Sequence, residues 1–239
     1  MSLPVRFVLA AATLVAAAPL AAQTALPVDA KALVPHRDSL VVMANGQPIG
    51  SSVTILSAIG TAGFIYREQT AIGKVMQQET SVQLAAAGKT EKVSQAGTAR
   101  GVPGSIEITY GDGRVFGTVQ AATADGPNKF TVDTVLPAGV VDDNSLQALL
   151  PALPWADGVA WQFPMYSAGT NSVTTMTLRV VGSQTAMVPA GAFEAYQVEL
   201  TGGNTDVAFL ILKRKPHTVL MVEMTGAPIR FELVSGGGL

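Results

Sequence analysis

The chain of 239 residues contains no cysteine, which excludes disulfides, thiol nucleophiles and Cys-based metal sites together. Charge is also sparse. Only 13% of residues are Asp, Glu, Lys or Arg, where a soluble domain usually carries about 25%. No basic cluster occurs and the formal net charge is −2, so nucleic acid is not an expected partner. Histidine is limited to His36 and His217, and a histidine-based triad would have to use one of them. His217, between Pro216 and Thr218, reads as an exposed turn residue. His36 opens the letters HRD (36–38), a chance match to a kinase catalytic loop, since the glycine-rich loop and the metal-binding Asn are missing. The G-x-S-x-G, H-E-x-x-H, P-loop and dinucleotide patterns are missing as well. Asp142 and Asp143 stand together, with Asp133 near in sequence, but adjacent acids before a helix read as caps and dipole partners. Calcium at Asp142-Asp143-Asn144 would need further oxygen ligands at loop spacing that the chain does not supply. No enzyme activity, cofactor or metal is therefore expected.

The N-terminus indicates the compartment. Arg6 precedes the apolar stretch FVLAAATLVAAA (7–18) and the small-residue segment PLAAQ (19–23), the order of a secretory signal peptide. Cleavage is expected after Ala22, which makes residues 1–22 the signal and places the product in the periplasm or outside the cell. The apolar run is too short to span a bilayer comfortably, so no transmembrane segment is expected after processing. The remaining 217 residues carry a net charge of −3 once Arg6 is lost. They divide into a flexible leader (23–35), a single β-rich domain (36–235) and a disordered tail (236–239).

Most of the domain alternates with period two and is punctuated by turn residues. SLVVMANGQPIGSSVTIL (39–56) holds Asn45-Gly46 between two apolar runs, the strongest short hairpin signal. Over 63–100, Gly73 and Ala87-Gly88 separate candidate strands, one of which sets Thr80, Val82 and Leu84 against the wetter Gln77, Glu79, Ser81 and Gln83. Around Gly111-Asp112-Gly113, Ile106, Ile108 and Tyr110 share a face, as do Val115, Gly117 and Val119. DVAFLILK (206–213) is apolar on both faces and reads as a central strand. The expected fold class is all-β with one short helix, a large curved antiparallel sheet or open half-barrel of some ten or more strands.

DDNSLQALLPALPWADG (142–158) breaks this pattern. Asp and Asn precede the helix-period residues Leu146, Leu149 and Leu150, which predicts an N-capped helix of about two turns stopped by Pro151. Trp155 and Trp161 flank Gly158, with Phe163 and Tyr166 close behind. These aromatics either pack in the core over the helix or form the lip of a ligand-holding concavity. On the second reading the ligand-binding residues are Trp155, Trp161, Phe163, Tyr166, Leu149 and Leu150. An outer-membrane barrel fits less well, because aromatics make up only 6% of the chain and its end, Gly-Gly-Gly-Leu, offers no terminal aromatic strand.

The C-terminal part resembles the exported bacterial family called domain of unknown function 3108. The resemblance rests on DNSLQALLPALPWADGVAWQFPMY, then TMTLRVVGSQTAMVPAGAFEAYQVEL with its Pro-Ala-Gly turn, LILKRKPHTVLMVEM, and the closing IRFELVS, in that order over residues 142–235. It implies a curved sheet broadly similar to the lipoprotein carriers LolA and LolB, with no enzyme activity and no catalytic residues. Two functions follow as expectations. One is a non-catalytic envelope protein binding or carrying an apolar, lipid or lipoprotein-like, ligand on a concave sheet. The other is a structural or interaction module of the envelope whose partner is a protein.

Pro189 fixes φ for the Pro-Ala-Gly turn and Gly191 is placed to take a positive φ, so strands 172–187 and 192–201 should form a hairpin. Gly191→Val is expected to destabilise by roughly 1–3 kcal/mol through backbone strain. An unchanged melting temperature would reject the turn assignment.

Overall fold

The computed structural model describes residues 25–239, and the signal-peptide reading of residues 1–22 lies outside them. Asn45 and Gly46 take positive φ, 50° and 76°, the turn geometry whose twist matches that of paired strands. They join β1 (His36–Ala44) to β2 (Gln47–Ile59). Short turns of two to four residues carry the meander on through β3 (Gly63–Ile72), β4 (Met76–Ala85), β5 (Thr90–Ala99), β6 (Val102–Gly111), β7 (Arg114–Thr123) and β8 (Gly126–Val135). An excursion follows, containing β9 (Val141–Asp142), the single helical turn α1 (Leu146–Leu149) and a 3-10 turn at Leu150–Ala152. The meander then resumes with β10 (Ala160–Ser167), β11 (Ser172–Val188), β12 (Gly191–Thr201), β13 (Val207–Leu212), β14 (Val219–Met224) and β15 (Ile229–Gly236).

All fifteen strands form one sheet in the order β8 to β1, then β15 down to β9. Two meanders are thus joined through β1 and β15, and the outermost strands, β8 and β9, do not pair with each other. Neighbours are antiparallel except β9 and β10, whose Val141 and Asp142 run parallel to Met165 and Tyr166.

The sheet rolls around its apolar face. Tyr66, Val82, Val93, Ile108, Val115 and Val132 of β3–β8 share one core with Phe163, Tyr166, Met176, Leu178, Val198 and Ile211 of β10–β13. Leu146, Leu149, Leu150, Leu153 and Trp155 of the excursion fill the space between the two walls. Rolling brings strands close enough that some positions admit no side chain. Gly117 in β7 has φ 149° and faces Ile108, and a Cβ there would collide with the carbonyl oxygen of Glu107. Such glycines are the devices by which a wide sheet turns a corner.

A second, smaller core lies elsewhere. β11 bulges between Val180 and Gly182, and the far end of its hairpin with β12 reaches back over the sheet. There Ala186, Ala195, Leu210 and Leu212 meet Leu40, Leu220 and Leu233, and the Ala190 N–H donates to the Leu233 carbonyl at 3.0 Å. β13 is consequently buried on both sides, with Phe209 and Ile211 in the main core and Leu210 and Leu212 in the second.

Four local expectations are corrected. The stretch read as a flexible leader is tied down from Leu26 onward: Leu26 and Leu33 are buried and the Asp29 N–H donates to the Ala152 carbonyl at 2.9 Å. The tail read as disordered is held at Gly237, whose N–H donates to the Arg37 carbonyl at 3.1 Å. His217 is buried rather than exposed, with Nδ1 2.9 Å from the Leu212 carbonyl oxygen and its ring near that of Tyr196. Finally, the helical segment is one α-turn continued past Pro151 by the 3-10 turn, and Ser145 stands at its N-cap without a side-chain cap. The acids ahead of it make bonds of their own, described below.

Replacing Gly117 with Ala should destabilise by about 2–4 kcal/mol, because backbone strain and overpacking act together. Chemical denaturation of the variant measures this, and a change below about 0.5 kcal/mol would show that the strands can part at this point without loss.

Candidate ligand cleft and the seam beside it

Where the rolled sheet ends at the β4–β5 and β6–β7 turns, a cleft of about 690 Å³ opens. Its walls include Leu26 and Val28 of the N-terminal stretch, Leu136, Val140 and Val141 of the segment after β8, and Leu149 of α1. The turn residues Ala87 and Gly88 form a small-residue side, while Lys89, Glu91, Asp112 and Arg114 stand at the rim. Arg114 donates to Asp133 at 2.6 Å and Glu91 accepts from Gln83 at 2.9 Å.

Tyr110 and Asp142 also line the cleft, and they belong to a set of side chains that bridges the unpaired sheet edges. The Tyr110 hydroxyl donates to Asp142 Oδ2. Asp142 Oδ1 accepts from the backbone N–H of Asn144 at 2.8 Å and from its Nδ2 at 3.2 Å. Asn144 Oδ1 in turn accepts from Gln95 of β5 at 2.9 Å, and its Nδ2 donates to Asp143 at 2.8 Å. Further along, Asn171 Oδ1 accepts from Thr134 of β8 at 2.8 Å and from the Tyr166 hydroxyl at 3.0 Å. The rings of Tyr110 and Tyr166 meet edge to face at 6.3 Å. Side chains, rather than backbone pairing, thus close the roll.

Burial dominates the electrostatics of this seam. Asp142 is only 1% exposed, and loss of solvent, reinforced by the neighbouring Asp143 carboxylate, pushes its pKa up to about 7. The hydrogen bonds from Tyr110 and Asn144 favour the ionised form and oppose that shift without cancelling it. Burial raises Asp143 as well. Deeper in the roll, Glu68 accepts from Ser52 and Thr70, each at 3.1 Å, and from Tyr66 at 3.4 Å. That inward carboxylate is therefore committed to its neighbours. Among the described residues, no group of three or more His, Cys, Asp or Glu is placed to hold a metal ion.

The six residues singled out from the sequence do not gather around one opening. Leu149 lines the cleft. Leu150, Trp155, Trp161, Phe163 and Tyr166 are packed in the main core, where Trp155 Nε1 donates to the Leu150 carbonyl at 2.8 Å and the two indoles meet at 5.3 Å. The cleft walls come instead from segments with no regular period. LPAGVV (136–141) is an apolar loop where a polar one is usual, and this was the available signal.

The architecture is that of a β-barrel-like sheet left open along one seam and filled by its own excursion. A model for the family described as "Protein of unknown function (DUF3108)" matches residues 47–234, and the chain belongs to that family. A likeness to a solved structure is confined to the fold. The crystal structure of a beta-barrel-like protein of domain of unknown function DUF1849 from Brucella abortus aligns with a TM-score of 0.55 at 13% identity, covering 87% of this chain and 98% of that chain. No curated protein matches the sequence. Among the described residues, no helix is long and apolar enough to cross a membrane.

Asp142 yields a pH prediction. Its folded pKa of about 7 lies above the unfolded value of 3.8, so the folded state holds a proton that the unfolded state gives up. Its stabilising contribution is fully present below the unfolded pKa and is lost as pH rises through about 7. Melting temperatures measured from pH 4 to 8 should therefore fall less steeply for Asp142→Asn than for the wild type. Parallel curves would show that Asp142 is not protonated in the fold.

Proposed function

We propose that the protein is a non-catalytic envelope protein, exported to the periplasm, that binds or carries an apolar ligand of lipid or lipoprotein-like character. The observation that carries this reading is the cleft itself. Its volume of about 690 Å³ falls within the usual range of small-molecule sites, about 300–1,000 Å³. Its walls are mainly apolar, with polar groups confined to the rim and to the Tyr110–Asp142 pair. The ligand position differs from that expected on sequence grounds. The concave face is filled by Leu146, Leu150, Leu153 and Trp155, so the guest occupies the end of the roll rather than its middle.

A second reading, a structural or protein-interaction module of the envelope, is favoured by the full concave face and by Met187, 75% exposed near the tip of the β11–β12 hairpin. Native mass spectrometry of the protein purified from the periplasm without detergent separates the two. Acyl-containing adducts, released by lipid extraction, are the expected result. An adduct-free mass that persists after incubation with envelope lipids would reject the ligand reading and turn attention to a protein partner.

A further inference from the structure

We propose that two copies of the protein join along β8, antiparallel about Thr131, so that their sheets continue into each other across a two-fold axis. β8 (Gly126–Val135) ends the sheet, and the other outermost strand, β9, is only the two residues Val141–Asp142. β8 is therefore the long open edge. The Leu136 N–H donates to the Gly113 carbonyl at 2.8 Å, in step with the pairing of Val135 with Arg114, and bonding alternates along an antiparallel ladder. Even-numbered residues of β8 thus bond to β7, while Thr131 and its odd-numbered neighbours turn their backbone groups outward. Among the described residues no other strand answers them. Pro127, Lys129, Thr131, Asp133 and Val135 are all exposed, so the edge is open to a partner.

The order of side chains selects a second copy as that partner. Paired with itself about Thr131, β8 sets Lys129 opposite the partner's Asp133 and Pro127 opposite the partner's Val135, with the two Thr131 side chains meeting at the axis. On the inner face the half-buried Phe130 lies opposite the partner's Val132. Apolar residues meet apolar ones and each charge meets its opposite, the combination that stabilises cross-strand neighbours. Other symmetric registers lose this. Centring on Lys129 or Asp133 opposes like charges, and centring on Phe130 or Val132 leaves each charge facing an uncharged residue. Both charges are available for the contact. Arg114 donates to Asp133 through Oδ1 alone, from Nε at 3.1 Å and from its terminal nitrogen at 2.6 Å, which leaves Oδ2 open. Lys129 makes no ion pair among the described residues. Because the same strand serves both sides, the assembly closes at two copies. β8 contributes no residue to the cleft, so the contact stands apart from the ligand reading.

Sedimentation velocity of the mature protein from micromolar to millimolar concentration should show a reversible monomer–dimer equilibrium that weakens with added salt. Lys129→Asp and Asp133→Lys should each weaken dimerisation at least tenfold with little change in melting temperature, because both positions are exposed. Mixed in equal amounts, the two variants should form a heterodimer within a few-fold of the wild-type affinity, since each presents the charges that the other lacks. Thr131→Pro, which removes an outward N–H and spares the bonds to β7, should abolish the dimer and serves if a charge variant is unstable. A protein that stays monomeric throughout would overturn the proposal and leave β8 to a strand of another protein. A dimer indifferent to the charge variants and to Thr131→Pro would overturn it by moving the contact to another face. Charge variants that weaken the dimer but fail to recombine would reject the register about Thr131.

Discussion

A sheet of fifteen strands whose outermost members do not pair keeps its curvature only if something inside holds both walls. Here that element is the segment from Leu146 to Trp155, which shares one continuous core with the wall made by β3–β8 and the wall made by β10–β13. Each large apolar side chain buried there contributes about 1.5–3 kcal/mol, and these residues do so against two surfaces at once. The sheet lacks the backbone hydrogen bonds that would close a true barrel, and the plug replaces their mechanical role. The seam follows from it: Asp142 and Asn144 lead into the plug, so seating the helix also sets their side chains opposite Tyr110 and Gln95.

This arrangement explains why so few charges are needed. The buried polar side chains are mostly hydroxyls, and Ser52 and Thr70 bond each other across neighbouring strands while Glu68 accepts from both. Among the described residues, no buried side-chain nitrogen or oxygen lacks a hydrogen-bond partner, which keeps the cost of burying polar atoms low. Burial raises the pKa of Asp38 and Tyr66 as well as those of the acidic pair at the seam, where two carboxyl groups are forced together beside the cleft.

Local chemistry was readable in the sequence and long-range consequences were not. Asn45-Gly46 and Asp112-Gly113 encode their hairpins through the φ values those residues accept, and alternation in β4 correctly assigned Thr80, Val82 and Leu84 to the inner face. The Pro-Ala-Gly turn was likewise visible, but not that its hairpin bends at Val181 and lays its tip on β15. Nothing periodic marks Leu26 or Leu33 as core residues, and His217 has the neighbours of a turn residue although tertiary packing covers it. The aromatics announced a centre of packing, while the cleft was assembled from turns and an irregular loop that meet only once the sheet has rolled.

The junction of the two meanders has a consequence for how the chain reaches its structure. β1 and β15 are the first and last strands of the described residues, yet they pair at the middle of the sheet, from Asp38 against Gly236 to Ala44 against Ile229. Until β15 exists, the nascent polypeptide is two half-sheets, each with an open edge at what will become the centre. Contacts of such sequence separation form late and slowly, and exposed edges invite pairing with other chains. Folding is therefore tied to completion of the chain, and an incomplete polypeptide is the species most in need of protection from its neighbours.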